Sequence, residues 1–411
     1  MIILKEYLNL DLYNLILIRY NEIWLKSTKI KIRMIKALLN NIKISLSRKE
    51  IPFHKYQLSN DSTRIYFFFN NEEIPQAIEL LNFTFGVYSF SPALRTSAKM
   101  KNIAERAIEI AERIIHEGDS FALRVKRSGD HDYSSKDVAV EVGQAIIDHF
   151  QKSNVNLKVN LSNPDKKIFI EVRDQFSYIF TDIIYSDWGG LPIETSKKIA
   201  CMDIGRLNDL LAAFMLMRRG SELYPVLFDL MEDEASFETR ISNWKENVNF
   251  TPFFKFTVRR IKFKKIMDKV IKQLNVADYT CALCRLLRYD IMSKILNSKD
   301  DKNLTRIRAI SDGVSLVDIS LCPDQVELES IALNYLFTNH PVFTPLIGLE
   351  PDKISSYLKK ISTNFKKVDY CPYKPKNQKM NSEEVKKIYQ SLDLNKLVTE
   401  CIQEMEKIKI I

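Results

Sequence analysis

Glycine is scarce in this sequence, with ten residues among 411 against an average usage of roughly 7%. No apolar run approaches the ~20 residues of a membrane-spanning helix. The N-terminal stretch MIILKEYLNLDLYNLILI lacks the basic start and small-residue cleavage site of a signal peptide. Six cysteines at irregular spacing do not form a disulfide scaffold. We therefore expect a cytoplasmic protein with no membrane partner.

Histidine is rare as well. No pair of histidines has HxxxH spacing or a plausible acidic partner in sequence, so the histidines do not indicate a zinc site. No nucleophile elbow is present to support Ser–His–Asp catalysis. We expect all five histidines to be ordinary surface residues, although His131 could instead contact RNA. They are His54, His116, His131, His149 and His340.

Charge leans to one sign, since 61 Lys and Arg oppose 52 Asp and Glu for a net charge of +9. This bias favours a polyanionic partner, although a solvated lysine-rich surface explains it equally well. With 45% hydrophobic and 27% charged residues, the composition is that of an ordinary globular protein. The length suffices for two or three domains.

The segment from Ser186 to Phe228 organises the rest of the chain. Lys198–Met202 predicts a buried strand, an apolar helical stripe follows, and Arg218-Arg219-Gly220 predicts the end of that helix. Leu223–Phe228 predicts a second strand. A strand–turn–helix–strand unit of this kind binds nucleotides in parallel α/β sheets.

The turn inside this unit is a poor phosphate loop. Such a loop needs open backbone N–H groups, hence glycine, and often a hydroxyl. The sequence from Asp203 to Asp209 holds one glycine, Gly205. Arg206 is bulky where the phosphate must approach the backbone, and Asp209 would repel it.

The segment resembles the tRNA 4-thiouridine synthetases, which are tRNA sulfurtransferases of the PP-loop superfamily. Their loop, Ser-Gly-Gly-Ile-Asp-Ser, aligns with residues 204–209, so the nucleotide-binding positions implied here are degenerate: Gly205, Arg206, Asn208 and Asp209. A second ATP motif of the family aligns with residues 312–323, where Gly313, Ser315 and Leu316 survive. Because both motifs have decayed, we expect ATP to bind very weakly.

The N-terminal part carries two further resemblances. Alternating strand and helix patterns between residues 15 and 92 fit a ferredoxin-like unit, of which three of four strands can be placed, and residues 19–26 match the opening motif of the synthetases. Residues 99–173 resemble a THUMP domain, an RNA-binding module, through matches that include Lys126-Arg127 and Glu171-Val172-Arg173. The residues that these resemblances imply for RNA binding are Lys26, Arg124, Lys126, Arg127, Lys136 and Arg173.

Cysteines offer a third candidate site. Cys281 and Cys284 form a CxxC pair, which alone is a weak signal for zinc, a redox pair or an iron–sulfur cluster. The resemblance adds Cys371, which is the sulfur-carrying residue in members with one such cysteine, whereas many archaeal members hold an iron–sulfur cluster on three. Packing as small buried hydrophobes is the alternative, and we expect it for Cys201, Cys322 and Cys401.

We therefore predict a mixed α/β and α+β protein of three domains: a ferredoxin-like domain (1–92), a THUMP domain (93–186) and a PP-loop-like parallel α/β domain (187–411), of the adenine nucleotide alpha hydrolase-like type. Within the last, residues 254–273 predict either one basic helix or a strand–helix pair.

The preferred functional hypothesis is a tRNA-binding protein of tRNA modification whose ATP-dependent thiolation is lost or impaired. The first alternative is an active sulfurtransferase that makes 4-thiouridine with ATP and Cys371 as catalytic residue. The second is an iron–sulfur protein that carries sulfur or electrons through Cys281, Cys284 and Cys371. Candidate partners are tRNA, a second sulfurtransferase or sulfur donor, and another copy of the chain in a homodimer.

Overall fold

The structure is a computed structural model that describes residues 10–274, 277–298, 304–315, 335–336, 338–368, 371–376 and 381–411. The chain forms two compact units, Met1–Pro192 and Ile193–Ile411. Within the described residues, no helix combines the length and apolar character needed to cross a bilayer.

The first half of unit 1 has the ferredoxin-like order that the sequence predicts. Its elements are β1 (Leu15–Arg19), α1 (Thr28–Arg48), β2 (Lys55–Leu58), β3 (Ile65–Phe68), α2 (Ile74–Asn82) and β4 (Ser89–Ser97). The strand that the sequence could not place is β2. It pairs only with β3 at the edge of the sheet, and its residues are mostly exposed, so it lacks the apolar alternation that reveals a half-buried strand.

The second half of unit 1 is the THUMP-like part. It contains α3 (Met100–Ile114), β5 (Ser120–Ser128), α4 (Ser135–Lys152), β6 (Lys158–Val159), β7 (Lys166–Arg173), β8 (Phe176–Phe180) and β9 (Ile184–Tyr185). Helix α4 begins with a capping box, in which the Ser134 hydroxyl accepts from the Asp137 N–H and the Asp137 carboxylate accepts from the Ser134 N–H. Reciprocal bonding of this kind satisfies two otherwise unpaired donors and fixes the helix start.

One sheet runs through both halves, in the order β2-β3-β1-β4-β8-β7-β5-β6, with β9 paired to β4. Strand β4 crosses the predicted boundary at residue 92 and pairs antiparallel with β1 on one side and β8 on the other. The rings of Tyr66 in β3 and Tyr178 in β8 stack with their centroids 4.3 Å apart, although β1 and β4 lie between these two strands in the sheet order. The sheet therefore bends back on itself. The two predicted domains therefore share one curled sheet.

Unit 2 is a parallel α/β domain. Its elements are β10 (Leu191–Asp203), α5 (Leu207–Arg218), β11 (Arg219–Phe228), α6 (Glu234–Asn247), β12 (Thr257–Ile261), α7 (Phe263–Gln273), α8 (Thr280–Asn297), β13 (Ile307–Ser311), β14 (Val342–Phe343), α9 (Pro351–Ile361), α10 (Ser382–Ser391), α11 (Asn395–Gln403) and β15 (Glu406–Lys409). The strand–helix alternative for residues 254–273 is the one observed, as β12 and α7.

The sheet of unit 2 has the order β14-β13-β10-β11-β12-β15, parallel in the β10–β13, β11–β12 and β13–β14 pairs and antiparallel at β12–β15. Strand β10 lies between β11, which follows it in sequence, and β13, which comes much later. The connections therefore diverge at β10, and ligands of open α/β sheets bind at such a switch point. The turn after β10 is the position where a nucleotide would be expected.

Candidate functional site

The turn between β10 and α5 is closed to solvent. Asp203, Arg206 and Asp209 are 2%, 4% and 2% exposed, and Ile204 is buried between them. Gly205 has a φ of +97°, a backbone conformation that glycine adopts without steric cost. The retained glycine thus serves the shape of the turn, while the neighbouring positions have side chains folded into it.

Asp209 fills the place at the start of α5 where a bound phosphate would lie. Its carboxylate accepts hydrogen bonds from the backbone N–H of Ile204 at 3.0 Å and of Gly313 at 3.1 Å. It also accepts from Nη2 of Arg206 at 2.8 Å. Backbone amides and a cation around one anion are the usual features of a phosphate site at a helix N-terminus. Here the anion belongs to the protein.

Asp203, the last residue of β10, closes the other side of the turn. Its carboxylate accepts from the Gly205 N–H at 2.5 Å, from Nε1 of Trp244 at 2.6 Å and from Nη2 of Arg240 at 3.0 Å. The Arg240 guanidinium also donates to the Phe228 carbonyl at 3.1 Å. Asp203 therefore binds a further loop amide and joins the turn to α6.

The two degenerate ATP motifs meet at Gly313, just after β13. A Cβ atom on Gly313 would lie 2.5 Å from the backbone N and from Oδ1 of Asp209, a separation that real Cβ atoms do not show. The strand end thus packs directly on the first turn of α5. Residues 316–323 of the second motif lie outside the described residues.

A further buried acid, Asp312, lies next to Gly313. Asp312 is 3% exposed and accepts a hydrogen bond from the Tyr289 hydroxyl of α8. Burial raises the pKa of Asp312, against the opposing effect of nearby Arg285. An ATP triphosphate would meet loop amides that are already bonded and the carboxylates that bond them. The described residues of this turn therefore do not fit an ATP triphosphate.

The candidate cysteines lie in or against the apolar core of unit 2. Cys281 and Cys284 are in the first turns of α8, where Cys284 is buried in the core, and half-buried Cys371 packs against that core. Among the residues described, no three His, Cys, Asp or Glu side chains are grouped to hold a metal ion. A three-cysteine metal site is thus not assembled in the described part of the chain, and the cluster stays a prediction. Cys201 and Cys401 are buried as expected, and Cys322 lies outside the described residues.

Unit 1 contains a cleft of ≈ 700 Å³. Five cations, one carboxylate and four aromatic rings contribute to its walls: Arg19, Arg64, Arg124, Lys126 and Lys167; Glu171; Tyr88, Phe169, Phe180 and Tyr185. Tyr88 and Tyr185 are 44% and 61% exposed. Cations that bind phosphates, interleaved with rings on which bases stack, are the features of a groove for single-stranded nucleic acid.

Only part of the predicted RNA-binding set faces this cleft. Arg124 and Lys126 line it, whereas Arg127, near the end of β5, is not among the lining residues and donates from Nη1 to the Gly129 carbonyl at 3.0 Å. Alternation along β5 separates these neighbours onto different faces. Lys136 is exposed on the first turn of α4, and Lys26 is exposed just before α1.

Sequence reasoning missed Arg19, Arg64 and Glu171 as site residues. Arg19 ends the apolar strand LILIR, and Glu171 interrupts the apolar strand KKIFIEVR. A charged residue in an otherwise buried strand is the available signal, since such residues are almost never buried unless paired. The sixth predicted RNA residue, Arg173, pairs with Glu171 through Nε at 3.1 Å.

Models of three protein families match this chain. The THUMP domain model matches residues 97–182, the ThiI ferredoxin-like domain model residues 15–91, and the model for thiamine biosynthesis protein (ThiI) residues 195–394. Together they extend over the ferredoxin-like, THUMP-like and α/β parts of the chain.

Relatives from archaea and bacteria are similar over nearly their whole length. A probable tRNA sulfurtransferase from Methanosarcina mazei is 26% identical, and the match covers 97% of this chain and 96% of that protein. One from Methanocaldococcus jannaschii is 29% identical, and the match covers 92% of this chain and 97% of that protein. The one from Bacillus pumilus is 27% identical over 96% of both chains.

Two solved structures share the fold. A crystal structure of a 4-thiouridine synthetase in complex with RNA and bound ATP superposes with a TM-score of 0.80 at 20% identity, and it covers 97% of this chain and 100% of that one. A protein from Pyrococcus horikoshii superposes with a TM-score of 0.61 at 24% identity over 85% and 99%. At these identities the likeness concerns the fold.

Proposed function

This chain belongs to the ThiI family of tRNA sulfurtransferases, and from that premise we propose that it binds tRNA in a tRNA-modification process while its own ATP-dependent thiolation is lost or impaired. The observation that carries the proposal is the closed turn after β10. The amides of Ile204, Gly205 and Gly313 donate to carboxylates of the chain itself. Phosphates would have to displace buried, hydrogen-bonded anions, which costs far more than filling an open loop.

RNA binding is supported by what unit 1 retains. The cleft holds five cations to one carboxylate, and phosphate contacts from such side chains dominate affinity for nucleic acids. The exposed rings of Tyr88 and Tyr185 meet edge to face at 5.6 Å and offer stacking surfaces. The tRNA partner itself rests on the family and on the THUMP match to residues 97–182.

A tRNA-binding chain without ATP chemistry would act beside another enzyme. We propose that it presents tRNA to a partner sulfurtransferase or sulfur donor, or that it works as a subunit in a dimer. The competing candidate is an active tRNA sulfurtransferase that uses ATP and Cys371, which the name carried by full-length relatives favours.

The decisive experiment compares nucleotide and tRNA binding by the full-length protein. We expect no saturable ATP binding in calorimetry, with or without tRNA, and salt-dependent binding of an unmodified tRNA transcript. Release of pyrophosphate that requires tRNA, and that continues through further purification, would contradict the loss of ATP chemistry. Loss of sulfur transfer on Cys371→Ala substitution would then assign the active alternative.

A further inference from the structure

Glu171 lies at the centre of a cluster of three arginines in unit 1. Its carboxylate oxygens are 3.2 Å from Nη2 of Arg19, 3.0 Å from Nε of Arg64 and 3.1 Å from Nε of Arg173. The Glu171 side chain is 5% exposed. One buried carboxylate thus holds three guanidinium groups from three separate segments of the chain.

The segments it joins come from both halves of the curled sheet. Arg19 ends β1 and Arg64 directly precedes β3, whereas Glu171 and Arg173 belong to β7. In the sheet order β1 and β7 are separated by β4 and β8. Because the sheet bends back, Glu171 reaches across the gap between the halves at the place where the cleft opens.

Two of the three arginines lie on the cleft wall and the third does not. Arg19 and Arg64 line the cleft together with Glu171. Arg173 is not among the residues that line the cleft, and its Nη1 donates to the Asp61 carboxylate at 2.7 Å and to the Thr63 hydroxyl at 3.0 Å. The cluster therefore has a structural side, at Arg173 and Asp61, and a cleft side, at Arg19 and Arg64.

The cleft-side arginines are fixed while retaining donors for a ligand. Arg19 donates from Nη1 to the Ser91 hydroxyl at 2.9 Å and from Nη2 to Glu171, and each Nη nitrogen carries a second hydrogen. Its guanidinium carbon lies 5.1 Å from the centre of the Phe180 ring. Arg64 donates to Glu171 from Nε at 3.0 Å and from Nη2 at 3.4 Å, and from Nη1 to the Thr63 carbonyl, so its second hydrogens on Nη1 and Nη2 are the donors that remain.

We propose that Glu171 is a positioning residue that holds Arg19 and Arg64 in a preformed arrangement on the cleft wall to receive a backbone phosphate of RNA. This inference rests on the proposed RNA binding and assigns the place in the cleft where a phosphate is recognised. Planar guanidinium forks bind phosphate with directional pairs of hydrogen bonds. Affinity rises when such groups are ordered before the ligand arrives, and here a buried acid orders them.

A positioning role for Glu171 and a simple count of net charge predict opposite changes in tRNA affinity when this carboxylate is removed. Glu171→Gln removes a negative charge from a site for an anion, so a point-charge account expects tighter tRNA binding and a steeper salt dependence. If Glu171 positions the arginines, the same substitution weakens binding by about tenfold or more, because one of the two oxygens that the guanidiniums share becomes an amide NH2 group, which donates and cannot accept.

Asp61→Asn is the matched control. It removes the same charge from the same cluster, but on the side of Arg173, and Asn keeps an oxygen acceptor there. We expect binding by this variant to stay within about twofold of the wild type or to become tighter. Equal weakening by both variants, or tighter binding by Glu171→Gln, would overturn the positioning role.

If Glu171→Gln does not fold, a variant that conserves the charge tests the same positioning role. Glu171→Asp keeps the charge but shortens the side chain, so it cannot reach all three arginines, and we expect weaker binding with an unchanged thermal midpoint of unit 2. Unchanged affinity in this variant would contradict the proposal. Failure of the wild-type protein to bind tRNA would instead contradict the RNA-binding function itself, so the two failures are distinguishable.

Discussion

The carboxylate of Asp209 accepts a hydrogen bond from the backbone N–H of Gly313, 104 positions further along the chain, with 3.1 Å between the two heavy atoms. This bond joins the two segments, residues 204–209 and 312–315, that the resemblance to the synthetases aligns with ATP motifs. The two segments form one packed arrangement, so a substitution in either one should change the stability of the other.

Gly313→Ala should destabilise unit 2 by about 1–3 kcal/mol, the usual cost of adding a methyl group to a packed site. The added Cβ would meet Asp209 and Asn208 at 2.5 Å. Gly348→Ala is the control, because its Cβ would meet nothing within 4 Å. Denaturant unfolding followed by Trp244 fluorescence measures both, and equal midpoints for the two variants would show that the contact at Gly313 relaxes at no cost.

Removing either side chain of the buried Arg206–Asp209 ion pair should strongly destabilise unit 2. The two side chains are 2% and 1% exposed, and removal of one partner of such a buried pair costs about 3–5 kcal/mol. Asp209→Ala should cost more than Arg206→Ala, since the amides of Ile204 and Gly313 also lose their acceptor. The double variant should be more stable than the sum of the single effects implies, as a double-mutant cycle would measure. Additive effects would mean that the pair contributes no coupling.

Restoring two loop residues should not restore ATP binding. In Arg206→Gly/Asp209→Ser the Gly205 N–H still donates to Asp203, which Trp244 and Arg240 hold in place. We expect calorimetry with ATP to give no saturable signal for this variant. Saturable binding would show that Asp209 and Arg206 alone close the site.

Low pH should lower the free energy of unfolding of unit 1, because the Glu171 carboxylate becomes protonated. Burial alone would raise the pKa of this carboxyl, but Arg64, Arg19 and Arg173 lower it from 4.5 to about 2. A depressed folded-state pKa stabilises the protein above pH 4.5, and that contribution is lost as pH falls toward 2. The loss is on the order of 3 kcal/mol. Urea unfolding between pH 5 and pH 3 should show a shallower pH dependence for Glu171→Gln than for the wild type, whereas the two should run parallel near pH 7.

Lys126 and Arg127 should differ in their effect on tRNA binding. Lys126→Ala should lower affinity and reduce the salt slope by about one unit, as for one lost phosphate contact. Arg127→Ala should leave the slope nearly unchanged, because Arg127 is not among the cleft-lining residues and alternation along β5 places it on the opposite face from Lys126. Binding isotherms at several salt concentrations test this, and equal slope changes would place both side chains on the RNA.

The local pattern of apolar and polar residues was enough to predict several elements of this protein. Apolar runs bounded by turn residues predicted β1 and α5, because the periodicity of burial follows the geometry of each element. For residues 254–273 the pattern left one basic helix and a strand–helix pair open, and the structure forms the pair, β12 and α7. The single glycine and the absence of a hydroxyl residue in the sequence from Asp203 to Asp209 already predicted a poor phosphate loop. The exposed edge strand β2 escaped prediction, since its residues are mostly exposed and its place is set by pairing with β3.

Tertiary structure decided what the replaced residues do. From sequence, Asp209 was an anion that would repel phosphate, and only the fold brings the amides of Ile204 and Gly313 to its carboxylate. Likewise Arg19, Arg64 and Glu171 are separated by up to 152 positions, and the bend of the sheet places them around one cleft. Contacts between distant segments depend on strand order and curvature, which local sequence does not encode, so both sites became visible only in the folded chain.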